Sequence, residues 1–510
     1  MNTTAIELQS SSSEKNISAD SWIFLIPHSG DDPIKPVTLQ KQTPSWEQES
    51  LKSFQAKRKY EAKCGTHLSY DLADAAKRTH VIVDTGLGMF EWLSQARKVC
   101  QDAIFNCKLN TICIDLRHMG ELTPSLADAW VAAISAGLYK FPKYKGPNQT
   151  NEHDVSNNET PHDLKLFFLA EKANLNGVDK AARQSLNRTA SGTNIVRWLS
   201  KRAGNDLNCK KYLEYISQMA KVRKWKYEHI NDVKLNKIGA GAFLSVVQGS
   251  EHKDFGIVKL SYSPSHAKKS LSLVGKGLMF DTGGHSLKSS QYMLGMHGDM
   301  AGSAVALAIL NVATIEQWPI AITAYLAVAD NMIGPKAYKP NDVITAMNGT
   351  TIEVIDTDAE GRMVLADTLY LACKDSPSLI MDFATLTGAC VRAIGTTFSG
   401  VFTNRSQLHS TLIDAGYKSG ERVWPFPMDK DFADCLDSTS ADTKQCREKG
   451  GVDHIEASQF LSKFIDKKIP WVHVDLSAIE NSGGLAHIAS DETGFGVRFA
   501  SQFIRDHFKF

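Results

Sequence analysis

The chain has 510 residues, with 57 Lys+Arg against 56 Asp+Glu and a formal net charge of +1. That length suits two or more domains and a large core, and a composition 43% apolar and 22% charged is ordinary for a globular protein. Balanced charge offers no general attraction for nucleic acid or an anionic membrane, so neither is expected as a partner.

Residues 1–20, MNTTAIELQSSSSEKNISAD, are polar and Ser-rich and read as a flexible tail. They lack the basic and apolar regions of a signal peptide, so a cytoplasmic protein is expected. Residues 21–178 read as an α/β domain, with the strand-like runs SWIFLIP, HVIVDTG, NTICIDL and LKLFFLA and the helical pattern SLADAWVAAISAGLYKF. Two further segments in this half are the charged amphipathic WEQESLKSFQAKRKYEAK and, at 145–163, KGPNQTNEHDVSNNETPHD, which reads as an exposed insertion. Over 179–204, Ile195, Trp198 and Leu199 recur at helical spacing and give a connecting helix.

From 205 to 510 the α/β pattern resumes, with strand candidates FGIVKLSY, LSLVGKGLMF, IAITAYLAVA, TIEVI, SLIMDFA and WVHVDLS. MAGSAVALAILNVATI is short and rich in small residues, which suits a buried helix better than a membrane span. Nine cysteines without a C-x-x-C pair read as buried free thiols in a reducing compartment. The expected fold class is α/β in two domains: a smaller N-terminal domain and a larger C-terminal one with a central mixed sheet flanked by helices.

Polar residues gather where the C-terminal strands end: Asp281, Asp299 before the apolar helix, and Asp330. Ligands bind at the carboxyl ends of strands in open α/β sheets, although acids there also form turns. Lys276 sits inside an apolar strand between two glycines. A buried lysine needs a carboxylate partner or a depressed pKa, so it reads either as an internal ion pair or as a neutral amine on a metal. In a regular strand Lys276 and Asp281 face opposite sides. Sharing one metal requires a bend, for which Gly275, Gly277 and the Gly283–Gly284 pair are candidates.

The stretch DTDAEGR, Asp356 to Arg362, crowds three carboxylates after the apolar TIEVI. Such crowding is costly unless a cation or shared proton relieves it. Asp358 and Glu360, at period two, can point to one side. With Asp281 and Asp299 they form a cage for two divalent ions bridged by carboxylates and a water, an arrangement suited to hydrolysis. The motifs offer neither a Cys cluster nor H-E-x-x-H. Oxygen ligands plus one amine fit zinc, manganese or magnesium alike.

VGKGLMFDTGGHSLK, HGDMAG, DTDAEGRMVLADTL and ATLTGA resemble, in order and spacing, the signature segments of the leucyl aminopeptidases, the M17 family of cytosolic exopeptidases. The resemblance covers about residues 190–510 and fits the N-terminal part loosely. It implies that Lys276, Asp281, Asp299 and Glu360 hold the tighter metal. Asp281, Asp358 and Glu360 would hold the more exchangeable one, with zinc or manganese there and the Asp358 carbonyl contributing. Lys288 would polarise the scissile carbonyl, and Arg362 would hold a bicarbonate that relays a proton from the bridging water. The substrate α-amine would bind a metal and Asp299. Met296, Thr385 and Gly388 would line the first side-chain pocket, and the Leu386 carbonyl would accept from the peptide. Peptide substrates, with leucine and other mostly hydrophobic N-terminal residues, and a homohexamer are implied in the same way.

The chain also departs from the family. Asp356 stands for the usual Asn, where an extra anion would tighten metal binding or raise a neighbouring carboxylate's pKa. Thr282 replaces a Ser, and KRAGNDLN replaces VNTPPN. His285 and His297 read as residues at the edge of the site, not as ligands. Ser477 replaces a small apolar Ala, and Glu480 stands where relatives place an apolar residue, so Glu480 reads either as solvent-facing or as a polar pocket wall. Arg362 alone reads as a salt bridge, and the motif context favours the anion-holding role. A two-metal phosphoesterase leaves Lys276 and Arg362 unexplained. A catalytically inert or weakly active relative with a scaffold role would be expected to lose ligands, yet all seven positions stand.

Overall fold

The structure is a computed structural model that describes residues 6–13, 17–28, 66–71, 77–105, 109–142, 144 and 164–510. The amphipathic stretch WEQESLKSFQAKRKYEAK and the insertion at 145–163 lie outside the described residues. The chain forms two compact units, Met1–Ala190 with Gly484–Ala489, and Ser191–Gly483 with Ser490–Phe510.

The first unit holds strands β1 (Ile6–Ser11), β2 (Ser21–His28), β3 (His67–Asp71), β4 (Lys77–Asp84), β5 (Thr111–Asp115) and β6 (Leu164–Leu169). They lie in the order β1-β6-β5-β2-β4-β3, parallel except for the edge strand β3. Near-continuous apolar runs suit strands covered on both faces. Helices α1 (Met89–Ala103) and α2 (Thr123–Gly137) supply Leu93 and Trp130 to the core formed with Ile23, Val81 and Ile114. α3 (Leu175–Arg188) ends in a π-helical turn, Thr189–Thr193.

The expected flexible tail is corrected here: Ile6–Ser11 pairs in parallel with β6. Ladder hydrogen bonds come from the backbone, so an edge strand tolerates a polar sequence. Ile6 and Leu8, two apart, reach the core on one face while Glu7 and Gln9 stay exposed.

The second unit begins with α4 (Asn194–Lys201). Its eight-stranded sheet uses β7 (Lys226–Ile230), β8 (Gly256–Tyr262), β9 (Ser270–Asp281), β10 (Ala321–Asn331), β13 (Leu379–Ala384), β14 (Ser399–Thr403), β15 (Val423–Pro425) and β17 (Trp471–Asp475). The order is β15-β14-β17-β13-β9-β10-β8-β7. The sheet is mixed: β17, β13, β9 and β10 are parallel neighbours, while β8 runs antiparallel to β10 and β14 to β17. TIEVI contributes not to this sheet but to a small one, β11 (Val343–Thr345), β12 (Thr351–Glu353) and β16 (Thr443–Lys444).

Two apolar helices carry the site. α5 (Ala301–Ile315) is buried from Ala301 to Ala313. Ser290–Ile315 is the one stretch among the described residues long and apolar enough to cross a bilayer, and 89% of its apolar window is buried inside the protein. α6 (Glu360–Cys373) packs Met363, Val364 and Leu369 into the core with Val274, Leu278 and Tyr325. The described cysteines are free, and all but Cys435 are buried.

Candidate active site

β9 and β10 run in register through Leu278↔Ala329, and the next pair is Asp281↔Asn331. β9 therefore carries one extra residue, a bulge that changes which face the following side chain takes. This resolves the parity problem: Asp281 joins the face of Lys276 through the bulge at Met279–Phe280, not through a bend at the glycines. The same shift selects Asn331 over Asp330. Asn331 Nδ2 donates to Asp281 Oδ1 at 2.8 Å and to the Thr357 carbonyl at 3.0 Å. Asp330 turns to Cys209 instead.

Lys276 is 3% exposed and lies 2.9 Å from both Asp299 Oδ2 and Glu360 Oε1. Its Nζ also donates to the Thr385 carbonyl at 3.1 Å. Burial opposes its charge, but Asp299 and Glu360 outweigh burial and raise its pKa above the ordinary lysine value. Gly361 makes room: a Cβ there would stand 2.6 Å from Lys276 Cε and Nζ. Lys288 Nζ bridges Asp281 Oδ2 at 3.0 Å and Asp358 Oδ1 at 2.6 Å. Its backbone N–H bonds the Thr282 carbonyl at 3.0 Å, closing a loop in which Gly283 and Gly284 take positive φ of 83° and 65°.

Four carboxylates thus face two ammonium groups. Burial, then the Asp281 charge, pushes Glu360 up to about 8. Burial also lifts Asp358 to about 6 and raises Asp299. Glu360 Oε2 is buried without a hydrogen-bond partner among the described residues. Asp281, Asp358 and Glu360 each offer an oxygen within 4.8 Å of the others. An excess of convergent oxygens with one unsatisfied fits hard or borderline divalent ions.

Asp356 accepts the Asp358 N–H at 2.9 Å, a turn that an Asn side chain could also make, and its charge adds to the upward shift of Asp358. Thr282 keeps the hydroxyl of the family Ser, donating to the Asn331 carbonyl at 2.9 Å. His285 Nδ1 meets the Tyr338 carbonyl at 3.0 Å, and His297 lies near Lys201 and Glu492.

A cavity of about 570 Å³ is lined by Lys276, Asp281, Lys288, Asp299, Asp358 and Glu360, and also by Met296, Thr385, Leu386 and Gly388. Thr385 Oγ1 donates to Asp299 Oδ1 at 2.6 Å. Arg362 is off the lining. It is 2% exposed, donating to Asp453 Oδ1 at 2.7 Å and to the Gln445 carbonyl at 3.3 Å. The salt bridge that Arg362 makes is thus to Asp453. Arg362 Nε is buried without a partner among the described residues, which leaves a donor for a small anion.

Residues 194–500 match the cytosol aminopeptidase family, catalytic domain. The chain belongs to that family. It is 33% identical over 373 residues to a "Probable cytosol aminopeptidase" of Phytoplasma australiense, covering 73% of each chain. A protein of the same description from Chlorobaculum tepidum is 35% identical over 74% of this chain and 75% of its own. Among solved structures, the bottromycin maturation enzyme BotP superposes with a TM-score of 0.79 at 26% identity, over 97% of this chain and 100% of its own. Its complex with Mn gives 0.79 at 25% identity, over 96% and 100%. The protein is therefore a hydrolase, a metal-dependent exopeptidase of a family that uses two metal ions.

Three residues of this aminopeptidase's site escaped the motif reading. Asp475 accepts from the N–H of Leu386 at 3.1 Å and from Thr387 Oγ1 at 2.7 Å, and so fixes the 385–388 loop. Asn331 and Asp453 act as described above. Asp475 carried a signal, an acid at the end of the apolar WVHVD strand. Asp453 lies in a polar stretch 91 residues from Arg362 and carried none.

Proposed function

We propose that this aminopeptidase hydrolyses the peptide bond after a free N-terminal residue, leucine and other mostly hydrophobic residues among them. Lys276, Asp281, Asp299 and Glu360 would hold one divalent ion. Asp281, Asp358, through its side chain and carbonyl, and Glu360 would hold a second, zinc or manganese. The observation that carries the reading is the four carboxylates against two lysines around one cavity. The Mn complex of the related BotP enzyme supports manganese as one occupant. When bound, the ions would supply Lewis acidity and a water of lowered pKa.

The chain's own groups do the rest. Lys288 presents a fixed ammonium to the cavity, where it would stabilise negative charge developing on the scissile carbonyl oxygen. Asp299, oriented by Thr385, would take the α-ammonium of the substrate, which restricts cleavage to the first residue. Met296, Thr385 and Gly388 would receive its side chain, and the Leu386 carbonyl would accept a peptide N–H. Arg362 cannot deprotonate and so cannot be the base. Its unpartnered Nε supports a bound bicarbonate that carries the proton. A cytoplasmic homohexamer acting on peptides completes the proposal and rests on the family resemblance.

The test is hydrolysis of aminoacyl amides with chelator and with metal added back. Leucine amide cleavage should vanish on chelation and return with zinc or manganese, and N-acetylated substrate should resist throughout. Full activity of protein shown metal-free by elemental analysis would contradict the reading.

A further inference from the structure

Glu480 is exposed, as one of the two sequence readings expects, and the surface it is exposed on is the wall of the same cavity. It stands directly across from Glu492 in an isolated antiparallel bridge. Hydrogen bonds on either side fix the pairing, Thr493 N–H to the Ile479 carbonyl and Asn481 N–H to the Asp491 carbonyl, both 2.9 Å. Like charges directly opposite one another destabilise such a pair. Lys201 relieves one of them, with its Nζ 2.5 Å from Glu492 Oε1. Glu480 has no ion pair and no side-chain hydrogen bond among the described residues. The charges that act on it are Glu492 and Asp491, which repel, and Lys201, already committed to Glu492.

The other cations of the cavity wall do not answer it. Arg197 donates to Asn194 Oδ1 at 2.6 Å and to Ser490 Oγ at 3.2 Å. Arg392 is not among the charges that act on Glu480. Ser477 adds no free donor, because its hydroxyl is given to the Phe398 carbonyl at 2.8 Å. Acids outnumber cations in this arrangement, and the unpaired Glu480 faces the substrate space. Glu480 Oε1 lies 3.4 Å from where a Cβ on Gly298 would stand, and Gly298 directly precedes Asp299. A substrate whose α-ammonium sits at Asp299 would therefore have its first side chain near Glu480.

We propose that Glu480 is a specificity residue that takes the ammonium or guanidinium of a basic N-terminal residue, so that lysine and arginine are favoured over neutral side chains of the same length. The proposal rests on the aminopeptidase reading above. A neutral side chain in this space desolvates a carboxylate without pairing it, whereas a basic one supplies the missing counter-charge.

The experiment compares kcat/KM for lysine and norleucine amides, which differ in the terminal charge but little in length, on metal-loaded wild type, Glu480→Gln, Glu480→Met and Lys201→Met. The lysine-over-norleucine ratio should fall about 10-fold or more in Glu480→Gln and Glu480→Met, as expected for loss of a charge partner that the bound side chain shields from water. It should rise in Lys201→Met, which leaves Glu492 unpaired as well. Because each ratio is internal to one protein, a general loss of folding or metal does not imitate the result. A ratio within about twofold of wild type in both Glu480 variants overturns the proposal. Failure of the wild type to cleave either amide overturns the aminopeptidase reading itself, and norleucine amide hydrolysis tells the two failures apart.

Discussion

Lys276 and Lys288 each bridge two carboxylates, yet the two regions differ in their access to water. The inner set lies at the floor of the cavity and is nearly buried: the side chains of Lys276, Asp299 and Glu360 are 4%, 6% and 2% exposed. In the outer set, Lys288 is 13% and Asp358 32% exposed. The inner lysine comes from mid-strand in β9 and faces the first turn of α6, between elements that cannot move apart without opening the core. The outer lysine comes from a glycine-bent loop and faces the cavity. The same chemistry is therefore built once as part of the core and once as a working surface. A metal held by the inner set should exchange slowly, and one held by the outer set quickly.

The largest contrast is expected from removing each lysine in turn. Lys276→Met leaves Asp299 and Glu360 buried without their counter-charge, and breaking such a pair costs about 3–5 kcal/mol. Urea unfolding of the chelator-treated protein should show that loss, together with weakened binding of the slowly exchanging metal. Lys288→Ala should keep both metals and most of the stability but lose about 10²–10³ in kcat, the usual cost of a charge-stabilising donor. Equal stability losses in the two variants would erase the distinction between core and surface.

A smaller effect is carried by pH. The carboxyls of Asp358 and Glu360 are raised to about 6 and about 8, from ordinary values of 3.8 and 4.5. In the chelated protein the folded state then keeps protons that the unfolded chain has already released. These groups favour folding at low pH, and their contribution is lost as pH rises from about 4 to about 8. Metal competes with the same protons, so its affinity should grow over that window. The gap in Tm between metal-loaded and chelated protein should widen from pH 5.5 to 8.5, and a constant gap would show that these carboxyls are not the ones displaced.

What the sequence made legible was whatever depends on local pattern. Apolar runs announced the central strands, and the 276–288 and 356–362 segments announced the cage. The bulge in β9 was not legible, because nothing in GLMFD distinguishes a strand that slips one residue from one that does not. The slip decides that Asn331, not Asp330, supports Asp281. β1 was hidden because its pairing is made by the backbone. Asp453 and Asp475 reach Arg362 and the 385–388 loop across long stretches of chain, brought there by the packing of a helix start and by the sheet order respectively. The return of Gly484–Ala489 to the first unit is tertiary in the same sense.

The most direct measurement takes Glu360, which the inner and outer regions share. Bound metal and leucine amide hydrolysis should be determined on the same samples of wild type and Glu360→Ala. The account predicts two metal ions per chain and activity in the wild type, and loss of both together in the variant. A Glu360→Ala protein that keeps two metals and full activity would contradict it.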